Sequence, residues 1–421
     1  MHRAVPPVIS VTPSRALVDE TFRVAVQNLP PGSPVTLHSL HRSEDEDLWE
    51  AFGHYVSDSR GTVSVADDFS FGGTYTGKEA MGLLWSMSPV PGSREGLRLR
   101  KKNVCIPQLV NISVYGGHVE EGFGERLPLA STLTERWHLG PGVRRIEISE
   151  RGVRGTLFIP PGPGPFPGML DMWGGGGGLL EYRSALLASH GYASLALEYF
   201  TAGELKSADK EFSYFETAFN IVREHPQVIP DRVGLFGLSL GSLMASYLAA
   251  ESSVIEPRCC VCVSGGHLYP RGVFCYFCRH KLRVDEHNRE IWRSINLPIP
   301  EDLSQKLDVG KINCPMLLVN GIDDQNWPTV ECAEDMAHMM RAAGKEHLLT
   351  RIEYPDAGHL IEPPYSPHSR ATKFIKDGVT VILLWGGQTK PHADAQEDSW
   401  RNILAFLQKH LYCTQNPKAK M

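Results

Sequence analysis

The first third of the chain is a succession of short apolar runs separated by glycine, proline and other turn residues. Before Gly140 no long stretch repeats its apolar residues with the 3.6-residue period of a helix. Short runs with frequent turns are typical of antiparallel strands, so the pattern predicts an all-β, immunoglobulin-like sandwich. The predicted strands are 8–12, 22–26, 35–40, 49–55, 62–65 and 83–87.

From residue 143 onward the pattern changes to strands that alternate with helices. This alternation predicts a mostly parallel sheet with helices on both faces. We therefore expect a sandwich domain at 1–142, an α/β-hydrolase catalytic domain at 143–413, and a tail at 414–421. The predicted strands are 145–149, 155–159, 168–173, 193–199, 233–238, 260–263, 316–320 and 348–354, and the predicted helices are 179–190, 211–225, 330–343 and 396–411.

The stretch 233–250 carries no charge over the length of a membrane helix, yet it contains the motif Gly237-Leu238-Ser239-Leu240-Gly241. Glycines break the apolar run at both ends of this motif, which favours a buried strand followed by a buried helix. A serine at such a strand-to-helix turn is exposed at the start of the helix, as in a nucleophile elbow. A plain glycine-rich turn and a membrane span are the alternatives.

A serine hydroxyl needs a general base and an acid that orients the base. In α/β-hydrolases these residues follow the serine in the order acid, then histidine, on loops after later strands. Asp324 comes just after the predicted strand 316–320, and a G-x-x-D turn favours it over Asp323. His359 follows the predicted strand 348–354, whereas His392 lies at the start of the last helix, where a structural role is expected. Ser239, Asp324 and His359 are the candidate catalytic residues.

Five consecutive glycines, 174–178, follow the predicted strand 168–173. Backbone N–H groups in such a loop can stabilise an oxyanion together with the N–H of the residue after the nucleophile. Gly174, Gly175, Gly176 and Leu240 are thus the candidate oxyanion donors. A flexible loop is the alternative, and a phosphate-binding loop is disfavoured because no Gly-Lys-Ser/Thr ends the run.

The composition narrows the classes of protein and of cellular compartment. The 421 residues are 42% hydrophobic and 21% charged, with a formal net charge of −6, which disfavours an electrostatic nucleic-acid binder. Nine cysteines are too few, and odd in number, for a disulfide scaffold, and the N-terminus lacks a secretory apolar region. We expect an intracellular protein. Cys275, Cys278 and His280 leave zinc binding as an alternative to cysteines that serve as small core residues.

Several stretches together resemble one family. They are 154–200, GLFGLSLGS, NGIDDQNW, YPDAGHLIEPPYSP and LLWGGQTKPHADAQEDSWRNILAFLQKHL. Over nearly its whole length the chain is similar to the type I acyl-coenzyme A thioesterase and bile acid-coenzyme A:amino acid N-acyltransferase family. The resemblance implies a β-sandwich joined to an α/β-hydrolase domain, with Ser239, Asp324 and His359 as its triad. Five glycines in the oxyanion loop, and Leu240 where many thioesterases carry lysine, depart from the family pattern and leave acyl-chain preference open.

In this family, the residue type of the nucleophile differs between enzymes that catalyse different reactions. Its thioesterases carry serine and its amino-acid acyltransferases characteristically carry cysteine, so Ser239 favours hydrolysis of fatty acyl-CoA. The alternatives are an acyl-CoA:amino acid N-acyltransferase, a carboxylesterase, and a catalytically inactive binding protein. We expect no cofactor or metal, and a monomer or weak homo-oligomer. The C-terminal Ala419-Lys420-Met421 resembles a peroxisomal import signal, so the expected location is cytosolic or peroxisomal.

Overall fold

The computed structural model describes residues 5–199, 211–269, 281–376 and 379–413. The chain divides into two compact units. Unit 1 comprises Met1–His138 and Glu362–Ser369, and unit 2 comprises Leu139–Ile361 and Arg370–Met421. We describe each unit by itself.

Unit 1 is built almost entirely of β-strands. Its elements are β1 (Val8–Thr12), β2 (Arg15–Leu17), β3 (Arg23–Gln27), β4 (Pro34–Arg42), β5 (Leu48–Val56), β6 (Val63–Ser64), α1 (Gly82–Trp85), β7 (Ser88–Pro89), β8 (Gln108–Gly116) and β9 (Ala130–Trp137). They form a three-stranded sheet, β1-β3-β6, and a six-stranded sheet, β2-β9-β8-β4-β5-β7. All pairings are antiparallel except that of β2 with β9. The predicted all-β fold class of this part of the chain is confirmed.

One predicted strand of unit 1 is wrong. Residues 83–87 are predicted to be extended, but 83–85 form most of α1, a single buried turn of helix. The Ser86 hydroxyl donates to the Gly82 carbonyl and closes this turn. A short apolar run does not distinguish a buried helical turn from a buried strand.

Unit 2 alternates strands and helices. Its strands are β10 (Arg144–Glu150), β11 (Val153–Ile159), β12 (Phe166–Met172), β13 (Ala193–Glu198), β14 (Val228–Leu238), β15 (Cys260–Val263), β16 (Arg283–Val284), β17 (Glu290–Ile291), β18 (Met316–Gly321), β19 (Leu349–Tyr354), β20 (Ala371–Lys376) and β21 (Val379–Leu384). Its helices are α2 (Tyr182–Ser189), α3 (Phe212–Glu224), α4 (Leu240–Glu251), α5 (Thr329–Ala342) and α6 (Thr389–Leu407).

The main sheet has eight strands in the order β10-β11-β13-β12-β14-β15-β18-β19. The strands from β12 to β19 in this sheet are mutually parallel, whereas β10 and β11 are antiparallel to their neighbours. Every residue of β13, β15 and β18 is buried. Because alternate side chains of a strand point to opposite faces, both faces of the sheet are covered. Counted within this sheet alone, the strand order is 1-2-4-3-5-6-7-8, the α/β-hydrolase arrangement, and this predicted fold class is confirmed.

The uncharged stretch 233–250 forms the end of β14 and nearly all of α4. Of the helices that the structure describes, none combines the length and the apolar character that crossing a membrane requires. The small sheet β16-β17-β21-β20 has no counterpart among the predicted elements. Helix α6 begins at Thr389, seven residues before the predicted start, because Pro391 lies in its first turn, where no backbone donor is required.

Candidate active site

Ser239 lies at the turn between β14 and α4, at the carboxyl edge of the main sheet. Its backbone has φ 56° and ψ −119°, a conformation that a residue with a side chain adopts only under constraint. The Ser239 N–H donates to the carbonyl of Val263 at the end of β15, 2.9 Å away. The strained turn is therefore anchored to the sheet and presents its hydroxyl at the start of a helix.

The glycines on either side of the serine are sterically required. A Cβ on Gly237 would lie 2.1 Å from the Gly241 oxygen, and a Cβ on Gly241 would lie 2.1 Å from the Met172 oxygen. Real Cβ atoms do not approach backbone oxygens this closely, so no other residue fits without displacing the backbone. The local structure is a nucleophile elbow in the geometric sense, pressed against the end of β12.

Asp324 follows β18 and is completely buried. Its Oδ1 accepts hydrogen bonds from the backbone N–H groups of Asn326 and Trp327, each at 2.8 Å, which leaves Oδ2 for a second partner. The preceding Asp323 points elsewhere and accepts hydrogen bonds from Arg370 and from the N–H of Gly387. Of the two adjacent carboxylates, only Asp324 faces the candidate histidine.

That histidine is His359, in the loop after β19, with its side chain 1% exposed. Its Nδ1 lies 2.7 Å from Oδ2 of Asp324, and its ring stacks on Trp385 with the centroids 5.5 Å apart. Within the described part of the chain, Nε2 is buried and has no hydrogen-bond partner. Because a carboxylate only accepts, the ring proton belongs on Nδ1 and Nε2 is left as an acceptor.

His392 has a supporting position behind this loop. Its Nδ1 accepts from the N–H of Gly358 at 3.1 Å, and its Nε2 lies 2.8 Å from the carbonyl oxygen of Leu360. These are the residues immediately before and after His359, so His392 ties down both sides of the candidate base. With both ring nitrogens bonded to backbone, His392 itself is not available to a substrate.

The glycine loop begins beside the serine. Gly174 is buried, and a Cβ built on it would lie 3.2 Å from the Cβ of Ser239. Gly175 and Gly176 are exposed. Leu240 is the first residue of α4, directly after the elbow. Among the predicted oxyanion donors, Gly174 and Leu240 are therefore the two that the structure places next to Ser239.

A buried ion pair that is not predicted from the sequence lies next to the start of the glycine loop. Arg183 of α2 donates from Nε to Asp171 of β12 at 2.9 Å, and both side chains are at most 3% exposed. The guanidinium also donates to the Met172 carbonyl at 3.1 Å and lies 4.5 Å from the ring centroid of Trp173. An aspartate inside the apolar run GMLDMW was the signal that could have indicated this pair.

The cysteines in β15 and just before it lie in the core. Cys259, Cys260 and Cys262 are at most 1% exposed, and burial raises the pKa of the Cys259 thiol well above its usual value. No cluster of three or more His, Cys, Asp or Glu side chains suited to a metal ion occurs in the described ranges. Cys275, Cys278 and His280, on which the zinc alternative rests, lie outside the described residues.

Two family models match the chain. Residues 19–150 match the acyl-CoA thioester hydrolase/BAAT N-terminal region, and residues 211–413 match the BAAT/acyl-CoA thioester hydrolase C-terminal region. Mouse (Mus musculus) peroxisomal succinyl-coenzyme A thioesterase is 38% identical over 97% of this chain and 98% of its own. Mouse acyl-coenzyme A thioesterase 1 is 37% identical over 96% of each chain. The human (Homo sapiens) mitochondrial acyl-coenzyme A thioesterase 2 is 37% identical over 94% of this chain and 83% of its own.

Solved structures that resemble the chain include a dienelactone hydrolase-like promiscuous phosphotriesterase from metagenomic libraries. It has a TM-score of 0.41 and 17% identity, and covers 64% of this chain and 98% of its own. An acylaminoacyl peptidase has a TM-score of 0.43 and 12% identity, and covers 96% of this chain and 61% of its own.

Proposed function

This chain belongs to the acyl-CoA thioester hydrolase/BAAT family, and we propose that it hydrolyses fatty acyl-CoA to free fatty acid and CoA through an acyl-enzyme on Ser239. Its relatives over nearly the whole length are named succinyl-coenzyme A thioesterase or acyl-coenzyme A thioesterase. The observation that carries the mechanism is the buried His359–Asp324 pair, whose free Nε2 is the acceptor that a serine nucleophile requires.

In the first step, Nε2 of His359 takes the proton of the Ser239 hydroxyl as the oxygen attacks the thioester carbonyl. Asp324 keeps the ring proton on Nδ1 and stabilises the imidazolium that forms. Trp385, stacked on the ring, and His392, which braces the loop, limit the orientations that the base can adopt. The tetrahedral intermediate then collapses, and CoA leaves as its thiol after it takes the proton back from His359.

The negative charge on the tetrahedral intermediate needs two donors. We assign them to the N–H groups of Leu240, at the start of α4, and of Gly174, next to Ser239. Such preorganised donors stabilise the transition state more than the ground state, because charge develops on the oxygen only as the bond forms. Water then attacks the acyl-enzyme with the same histidine as its base, and free fatty acid leaves.

The test is mass spectrometry of the protein after brief incubation with a long-chain acyl-CoA, with and without taurine. We expect an acyl adduct on Ser239 that water clears, and no adduct with Ser239→Ala. Ser242→Ala, three residues further along the chain and buried in α4, serves as the matched control and keeps the adduct. Clearance only in the presence of taurine, with an N-acyl product, would instead identify an acyltransferase.

We also propose that the C-terminal Ala419-Lys420-Met421, outside the described residues, directs the protein to peroxisomes. The support is the sequence of the tripeptide, and one relative of the chain is named as peroxisomal. A fluorescent protein fused to the N-terminus of the full chain should colocalise with a peroxisomal marker. Removal of the three residues should make it diffuse, and punctate fluorescence that persists without them would contradict the proposal.

A further inference from the structure

We propose that Tyr199 is a positioning residue, which fixes the direction of the Gly174 N–H so that this group meets the oxyanion. The inference rests on the proposed function, because it concerns the same reaction. Tyr199 follows β13, and its hydroxyl donates to the carbonyl of Trp173, the residue immediately before Gly174. No sequence motif marks this tyrosine.

The argument begins with the peptide bond between Trp173 and Gly174. This unit is planar and trans, so the carbonyl of the first residue and the N–H of the second point in opposite directions. A hydrogen bond that holds the Trp173 carbonyl therefore also fixes the N–H of Gly174. Glycine by itself has wide backbone freedom, so a loop of five glycines needs an external constraint of this kind.

The surroundings of the Trp173 carbonyl show which way the Gly174 N–H points, because the two groups point in opposite directions. An ideal Cβ on Gly241 would lie 2.6 Å from the Trp173 oxygen, so this oxygen faces the packed base of the elbow. The Gly174 N–H is directed away from that packed contact. A Cβ on Gly174 would lie 3.2 Å from the Cβ of Ser239, so the residue that carries this N–H lies directly beside the candidate nucleophile.

Tyr199 is held rigidly enough for this task. The residue is 3% exposed, and its ring packs edge-on against Phe215 with the centroids 5.4 Å apart. Burial raises the pKa of its hydroxyl far above the usual value, and the nearby Arg183 offsets only part of that rise. The hydroxyl therefore remains a proton donor at every pH used for an assay. Arg183 supports the adjacent carbonyl, that of Met172, in the same way.

Tyr199→Phe removes the hydroxyl and keeps the ring. Tyr214→Phe is the matched control, because the Tyr214 hydroxyl also donates to a backbone carbonyl, that of Glu198, and its ring also packs edge-on against Phe215. Removal of a whole oxyanion donor lowers kcat by about 100-fold to 1,000-fold. A donor that is still present but no longer held in position should therefore lower kcat by about 10-fold to 100-fold. We expect this loss in kcat for Tyr199→Phe, with KM within about twofold, and no such loss for Tyr214→Phe.

Two inhibitors separate positioning from general damage. An alkylboronic acid adds to the Ser239 oxygen, whose proton passes to His359, and gives a tetrahedral anion that occupies the oxyanion site. A thioether analogue of acyl-CoA binds without forming any oxyanion. Tyr199→Phe should weaken the boronic acid by about the same factor as kcat and leave the affinity for the thioether unchanged.

Three results would overturn the inference. They are a kcat for Tyr199→Phe within twofold of the unmodified protein, equal losses in the two tyrosine variants, and a parallel loss of affinity for the thioether. Each of these leaves the proposed function intact as long as the unmodified protein hydrolyses acyl-CoA and Ser239→Ala does not. Failure of the unmodified protein to form an adduct on Ser239 would be a failure of the proposed function itself.

Discussion

The substitution Asp324→Asn tests the candidate triad most sharply, because the structure determines which way the new amide must point. Oδ1 of Asp324 accepts two backbone N–H groups at 2.8 Å each, so an amide nitrogen cannot occupy that position. The amide oxygen must stay there, and the NH₂ group must then replace Oδ2, which lies 2.7 Å from Nδ1 of His359.

An NH₂ group is a donor, so Nδ1 becomes an acceptor and the ring proton moves to Nε2. In that tautomer His359 cannot accept the proton of Ser239. The geometry of the site changes little, but the base is lost. The corresponding substitution in Ser-His-Asp enzymes lowers kcat by about 10⁴-fold, equivalent to about 5.5 kcal/mol of activation free energy, and we expect a loss of this size.

The assay is the initial rate of CoA thiol release from a long-chain acyl-CoA, followed with a thiol reagent, together with a thermal melt to show that the variant is folded. Asp323→Asn is the matched control, since its carboxylate bonds to Arg370 and to the N–H of Gly387 and not to the histidine. We expect the control to stay within about threefold of the unmodified kcat. A folded Asp324→Asn variant that kept a tenth of the activity, or equal losses in both variants, would refute the assignment of Asp324.

Three further predictions concern stability and its dependence on pH. Gly241→Ala places a Cβ 2.1 Å from a backbone oxygen and should cost about 3 kcal/mol or more in urea denaturation, whereas Gly175→Ala, with open space around its Cβ, should leave Tm within about 2 °C. His392→Leu leaves the buried N–H of Gly358 unpaired, which should cost about 1–3 kcal/mol and also lower kcat, and unchanged values of both would contradict the bracing role. Burial alone would raise the pKa of Asp335, but hydrogen bonds from His267 and Lys306 outweigh it and lower the pKa from its ordinary value of 3.8 to about 2. The ionised carboxylate should therefore stabilise the fold by about 1 kcal/mol at pH 6, measured against Asp335→Asn, and this difference should disappear as pH falls from about 4 to 2.

Structure is predicted well from the sequence at positions where local geometry requires one residue type. The elbow around Ser239 is such a place, since both flanking glycines would clash with backbone if they carried a Cβ. Asp324 and His359 were predicted from chain order and from their positions after strands, and the structure brings their side chains within 2.7 Å of each other. Their roles in catalysis, like that of Ser239, stay predictions until the variants are assayed.

The supporting residues could not be predicted in the same way, because their partners are distant in sequence. Trp385, which stacks on His359, comes directly after β21, and the sequence pattern of this strand is not distinctive. Tyr199 is one of 13 tyrosines, and only the fold shows that its hydroxyl reaches the Trp173 carbonyl. The helical turn α1 could not be predicted for a different, local reason, because a short buried apolar run is compatible with both a strand and a helix.

The candidate site is held in shape mainly through contacts to its backbone. The strained φ of Ser239, the carbonyl of Trp173 and the loop around His359 are each held by a contact from a different part of unit 2. These contacts come from the end of β15, from the residue after β13 and from α6. Because every such contact is buried, the geometry is set by folding and needs no substrate to assemble it. Variation of the exposed glycines at 175 and 176 should thus alter substrate preference before it alters the chemical step, whereas variation at Gly174 should alter both.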